Sequence, residues 1–160
     1  MSSNNYGKKF EQKMKQDFKR TVPECSIDRI YDSLSGFKTI SNIADFIAYK
    51  FPYLLYLECK SHQGNTFPLV NLTQYDKLVA KVGIKGVRAG VVLWMIDHDV
   101  VVYLPISFIT YLKENDYKSF NVKMLDDEEL NKKFIKIPSV KKRVFLDSDY
   151  SCLCNLEEGW

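Results

Sequence analysis

The chain has 160 residues, 46% of them hydrophobic and 14% aromatic, with a formal net charge of +3. This is enough apolar material for one globular α/β domain over residues 1–160 with a real core. No run of about 18 apolar residues and no apolar leader is present, so a membrane partner is excluded and a soluble, cytoplasmic protein is expected. The four cysteines (Cys25, Cys59, Cys152, Cys154) have no framework spacing. With only His62 and His98 beside them, Cys152-x-Cys154 makes a poor zinc site, and reduced thiols are expected.

In chain order, Phe10, Met14 and Phe18 recur every four residues among charged neighbours, which predicts a basic amphipathic helix. Ser3, Asn4 or Asn5 can cap it, and Val22-Pro23 ends it. Glu11 sits at the edge of the apolar stripe, where it either looks into a site at the helix–sheet seam or simply marks the boundary. Ser26–Tyr31 reads as a strand and Asp32 to Asn42, with Gly36 and Lys38, as a loop.

Two short aromatic and apolar runs, Asp45–Tyr49 and Tyr53–Lys60, flank Pro52 and predict a hairpin. Alternation puts Glu58 and Lys60 on one face, and the hairpin brings Asp45 to the same end. Two carboxylates and an ammonium there suit Mg²⁺, with Mn²⁺ as a possible substitute. The cation takes one or two carboxylates plus water, and the backbone carbonyl of Cys59 is placed to join them. Lys60 adds positive charge for a developing phosphate charge. Taken alone, Asp-x12-Glu-x-Lys also fits a solvated hairpin end with a surface salt bridge.

Ser61–Pro68 reads as a polar loop. Thr73-Gln74-Tyr75-Asp76 resembles a capping box opening a helix whose buried face is Tyr75, Leu78, Val79 and Val82, ended by Gly83 or Gly86. Gln74 falls in its first turn with Lys77 and Lys81 on its side. Ala89–Ile96 is apolar without alternation, as a strand covered on both faces should be. It turns at Asp97-His98-Asp99 and pairs back through Val100–Leu104, with His98 at the surface. Pro105 opens a helix over Ile106–Asn115, followed by an acidic turn or short helix at Asp126–Leu130, a short strand at Phe134–Ile137 and a basic, mobile tail. The order αβββαββα plus tail implies a sheet with helices packed on it.

Basic residues concentrate in two segments, Lys8 to Arg20 and Lys132 to Arg143. They form one phosphate-binding surface if folding brings them together, or else two ordinary solvated faces.

Taken together, Gly7-Lys8-Lys9-Phe10-Glu11, Ala44-Asp45-Phe46, Glu58-Cys59-Lys60-Ser61, Asn65-Thr66-Phe67-Pro68-Leu69 and Gln74 resemble the PD-(D/E)xK nuclease core. Within it they resemble the RecU-type Holliday junction resolvases of Gram-positive bacteria and their phages. The resemblance spans roughly residues 5–105 and, less specifically, Lys118-Ser119 and Lys141–Arg143. It implies a mixed central sheet flanked by helices and a homodimer in a bacterial cell or phage-infected host. It also implies Mg²⁺-dependent hydrolysis of DNA at four-way junctions that leaves 5′-phosphates.

Residue by residue, the resemblance makes Asp45 and Glu58 metal ligands and Lys60 the group that orients the attacking water or steadies the phosphorane-like charge. Glu11 and Gln74 become accessory residues that hold water at the metal or position the lysine. Lys8, Lys9, Arg29, Lys38, Lys77, Lys81, Lys141, Lys142 and Arg143 become the DNA contacts. Two departures stand out. Ala44 replaces the motif proline, and the Asp32–Asn42 segment is much shorter than the bacterial stalk. The alternatives are another nuclease of this superfamily acting on branched or duplex DNA, and a non-catalytic DNA-binding or recombination partner.

Overall fold

A computed structural model describes residues 3–35 and 38–156 of the chain. Six strands form the central sheet: β1 (Ser26–Arg29), β4 (Phe46–Lys50), β5 (Tyr53–His62), β7 (Val87–Met95), β8 (Val100–Pro105) and β10 (Ile135–Lys136). They lie in the order β1-β4-β5-β7-β8-β10. β5 and β7 pair in parallel, while the remaining neighbours are antiparallel, so the sheet is mixed. The β4–β5 hairpin forms as expected, with Phe46 opposite Leu57 and Lys50 opposite Tyr53.

The sheet separates two apolar layers. Helix α1 (Ser3–Thr21) packs Phe10, Met14 and Phe18 against Phe46, Leu55, Leu57, Cys59, Val92 and Trp94. Helices α2 (Tyr75–Val79) and α3 (Ile106–Glu114) cover the other face, where Leu78, Phe108, Ile109 and Leu112 meet Val91, Leu93 and Met95. Alternate residues of β7 enter opposite layers, which explains its unbroken apolar run. None of the described helices is long and apolar enough to cross a membrane.

Several expectations need correction. Helix α1 begins at Ser3, so Asn4 and Asn5 lie within it and do not cap it. The expected Asp32–Asn42 loop contains a small hairpin, β2 (Ser33–Ser35) with β3 (Lys38–Ile40). Gly36 and the Lys38 side chain lie outside what is described. The Ser61–Pro68 loop is shorter than expected, because β5 runs on to His62 and β6 (Thr66–Pro68) pairs with β9 (Ser119–Asn121).

The capping box does not form either. Gln74 itself is the N-cap in a helical conformation, and Thr73 Oγ1 donates to its side-chain oxygen at 3.0 Å. Helix α2 stops at Val79, leaving Val82 53% exposed. The tail is the largest correction, since it folds. β11 (Ser139–Lys141) pairs with β12 (Leu146–Ser148), and Leu146, Tyr150 and Leu153 are buried against α1 and its sheet face.

The reason is charge satisfaction as well as burial. Asp17, only 2% exposed, accepts from Lys13 Nζ at 2.6 Å and from the Ser148 backbone N–H at 2.9 Å. Arg88 on β7 is also buried. It donates to the carbonyls of Leu153 (2.7 Å) and Leu156 (2.5 Å) and lies 3.6 Å from the centre of the Tyr53 ring.

Candidate active site

β4 ends at Phe46, opposite Leu57, so β5 from Glu58 to His62 is paired only with β7. That leaves one edge of β5 open. Asp45, just before β4, fills the first open place with its side chain: Oδ2 accepts the Cys59 N–H at 2.8 Å. The N–H and C=O of a strand residue point to the same edge, so the Cys59 carbonyl also faces Asp45 and not β7.

Glu58 and Lys60 share the α2 side of β5, and their ion pair measures 2.9 Å from Nζ to Oε1. Gln74 stands at the start of α2 on that side and lines a cleft of about 270 Å³ with Asp45, Glu58, Arg29 and Asn42. Glu11 comes from the opposite layer. Where β4 has ended, its carboxylate comes close enough for both Asp45 and Lys60 to act on its protonation. It is also ion-paired with Arg29, which sits against the rings of Tyr31 and Phe46.

Glu58 is 1% exposed. Burial, then the nearby Asp45 charge, pushes its carboxyl from 4.5 up to about 7, against the pull of Lys60. Burial also raises the Glu11 carboxyl, opposed by the Arg29 hydrogen bond. The buried Cys59 thiol is pushed well up by burial and then by Asp45, so it stays protonated and supplies only its backbone.

Glu58 Oε2 is buried without a partner among the described residues. A carboxylate oxygen so placed is costly unless something positive meets it. A small hard cation fits: Asp45, Glu58 and the Cys59 carbonyl are oxygen donors at one open edge. No group of three or more His, Cys, Asp and Glu side chains suited to a metal occurs among the described residues.

The expected DNA contacts are distributed unevenly. Lys8, Lys9 and Arg143 are exposed. Lys77 on α2 donates to the Ser41 carbonyl and, at 2.7 Å, to its hydroxyl, pinning the loop before Asp45. Lys81 lies 5.3 Å from the Tyr56 ring. Lys141 pairs with Asp99 and Lys142 with Asp147 (3.6 Å).

Gly7 packs near Ser61 at the far end of β5, and Asp99 lies in the turn after β7, whose Met95 is opposite His62. The start of α1, with Lys8 and Lys9, and Lys141 therefore stand at the end of the sheet toward which Glu58, Lys60 and Ser61 run. Sequence reasoning passed over Asn42. No motif marks it, and only the folded loop reveals that it lines the cleft.

No protein-family model matches the chain, and neither does any curated protein. Among solved structures, the fold is similar to that of Hjc from Archaeoglobus fulgidus, a Holliday junction resolvase from an archaeal hyperthermophile. The TM-score is 0.56 at 17% sequence identity, over 81% of this chain and 95% of that one. The chain thus shares its overall fold with that structure.

Proposed function

We propose that the protein is a divalent-cation-dependent endodeoxyribonuclease that cuts four-way DNA junctions. The observation that carries this reading is the open edge of β5. There Asp45, Glu58, Lys60, Gln74 and Glu11 converge from two strands and two helices, on a fold shared with a junction resolvase. The resolvase reading of the fold supports an enzyme of the PD-(D/E)xK kind, including the RecU-like motifs of the sequence.

In this reading Asp45, Glu58 and the Cys59 carbonyl hold Mg²⁺, or Mn²⁺ in its place. Such a cation neutralises charge on the phosphate and makes water a better nucleophile at neutral pH. Lys60, ion-paired with Glu58, orients the attacking water and offsets the charge that develops on the phosphate. Gln74 hydrogen-bonds water at the cleft mouth, and Glu11 with Arg29 fixes the wall opposite. The bond broken leaves a 5′-phosphate and a 3′-hydroxyl.

Lys8, Lys9, Lys38 and Arg143, with the partly engaged Lys77, Lys81, Lys141 and Lys142, meet backbone phosphates, which set register without reading sequence. A homodimer presents two such sites to the two strands that must be cut. The short β2–β3 hairpin beside the cleft favours a looser choice among branched DNAs than a long stalk would give.

The test is incubation with a labelled four-way junction and a matched linear duplex, with and without Mg²⁺. Cation-dependent, paired cuts in the junction are expected. Equal cutting of both substrates would remove the junction preference, and no cutting of either would remove the enzyme.

A further inference from the structure

Two buried polar atoms of opposite kind remain without partners around one cleft among the described residues. Glu58 Oε2 accepts when the carboxyl is ionised, and Asn42 Nδ2 can only donate. Both residues line the same cleft with Asp45 and Gln74. Because the two atoms do not meet each other, each needs something from outside the chain. A buried amide left without an acceptor is destabilising, and native folds keep few of them. Those that remain call for a specific explanation, and a ligand is one.

The loop that carries Asn42 is fixed from both sides. Its own N–H donates to Asp32 Oδ1 at 3.0 Å, closing the neck of the β2–β3 hairpin. Its neighbour Ser41 is held by Lys77 from α2. Three residues further on, Asp45 is tied to Cys59. The backbone that carries the amide is therefore held in place beside the cleft.

We propose that Asn42 is a substrate-contacting residue: its Nδ2 donates to a non-bridging oxygen of the phosphodiester at the Asp45–Glu58 site. This rests on the nuclease reading above. A phosphodiester beside a divalent cation supplies both missing partners, positive charge for Glu58 Oε2 and an anionic oxygen for Asn42 Nδ2. A neutral amide suits the place, because it contributes a directed donor without adding a positive charge that would repel the cation. The charge of Lys60 remains for the transition state.

The experiment compares wild type, Asn42→Ala and the isosteric Asn42→Asp. Three quantities are measured: thermal melting, Mn²⁺ binding by calorimetry without DNA, and single-turnover cleavage of a junction in Mg²⁺. The cleavage substrates carry sulfur at each non-bridging oxygen of the cut phosphate in turn. Wild type is expected to discriminate between the two sulfur diastereomers. Asn42→Ala is expected to cut about 10- to 100-fold more slowly, the usual scale for one hydrogen bond to a charged group. It is also expected to lose part of that discrimination and to bind Mn²⁺ as wild type does. Asn42→Asp, which keeps the shape and reverses the chemistry, is expected to cut more slowly still while binding Mn²⁺ at least as tightly; it carries the test if the alanine variant does not fold.

Cleavage by Asn42→Ala within twofold of wild type, or unchanged diastereomer preference, overturns the role of Asn42 and leaves the nuclease reading standing. A wild type that neither binds Mn²⁺ nor cuts overturns both.

Discussion

Replacing Glu58 by Gln is expected to stabilise the metal-free protein at neutral pH, although it removes a proposed ligand. The carboxyl is 1% exposed and titrates near 7 in the folded chain, against 4.5 ordinarily. A raised carboxyl means that the folded state binds the proton more tightly than the unfolded state. The favourable contribution is fully present below about 4.5 and is lost as pH rises through about 7. By pH 8 the folded state has lost about 3 kcal/mol of this stability relative to low pH, at about 1.4 kcal/mol for each pH unit between 4.5 and about 7.

Asn or Gln in its place carries no charge to desolvate, and Lys60, a quarter exposed, can turn to water. In EDTA, urea unfolding of Glu58→Gln is therefore expected to exceed wild-type stability by about 1–3 kcal/mol at pH 8 and to match it near pH 4.5. Adding Mg²⁺ should then raise wild type and leave the variant where it was, because ligand that binds only the folded state stabilises it by mass action. A variant that is weaker than wild type at pH 8 in EDTA, or a difference that does not change with pH, would refute the reasoning. It would mean that the Lys60 pair outweighs the burial of the charge.

Three further outcomes are expected. Lys60→Ala should lower the single-turnover cleavage rate by about 10² to 10⁴ while Mn²⁺ binding by calorimetry stays within a few-fold; lost Mn²⁺ binding with the fold intact would make Lys60 part of the metal site instead. Charge reversal at Lys8 and Lys9 should flatten the salt dependence of junction binding by roughly one unit of slope per lost phosphate contact. Reversal at Lys141 and Lys142 should flatten it as well, although each is paired with an aspartate, and an unchanged slope would remove them from the DNA face. Gly90→Ala puts a methyl group within 2.6 Å of the hydroxyl of buried Tyr103, so a loss of about 1–3 kcal/mol in denaturant unfolding is expected, and an unchanged midpoint would show that the ring can move aside.

The parts of the fold legible in the sequence are those governed by local period. The hairpin from Asp45 to Lys60 is short, aromatic and broken by a proline, and side-chain alternation alone places Glu58 beside Lys60. The unbroken apolar run of β7 told of cover on both faces. What could not be read depends on where elements stop. That Glu11 approaches Asp45 follows from β4 ending at Phe46 and leaving a gap, and no spacing encodes that.

The α2 boundary was misjudged because Thr73 bonds the Gln74 side chain and Val82 has nothing to pack on. The tail looked mobile because Lys141, Lys142 and Arg143 dominate its composition. Its apolar residues Leu146, Tyr150 and Leu153 follow no regular period, yet α1 needs them as a second wall. Asn42 carried no signal at all.

That second wall bears on how the protein comes to be made. Helix α1 leaves the ribosome ahead of the sheet it packs on, and the group that satisfies Asp17, the Ser148 backbone N–H, follows 131 residues later. In between, the catalytic hairpin and the parallel β5–β7 pair are already synthesised. The nascent chain thus carries the proposed cutting residues while Met14 and Phe18 still lack part of their cover and one oxygen of Asp17 lacks its partner. A chain halted before Leu146 would leave an apolar stripe on a basic rod, a surface suited to chaperones and to aggregation. Quality control of this protein would therefore fall on helix α1, although the missing piece is the distant β11–β12 segment.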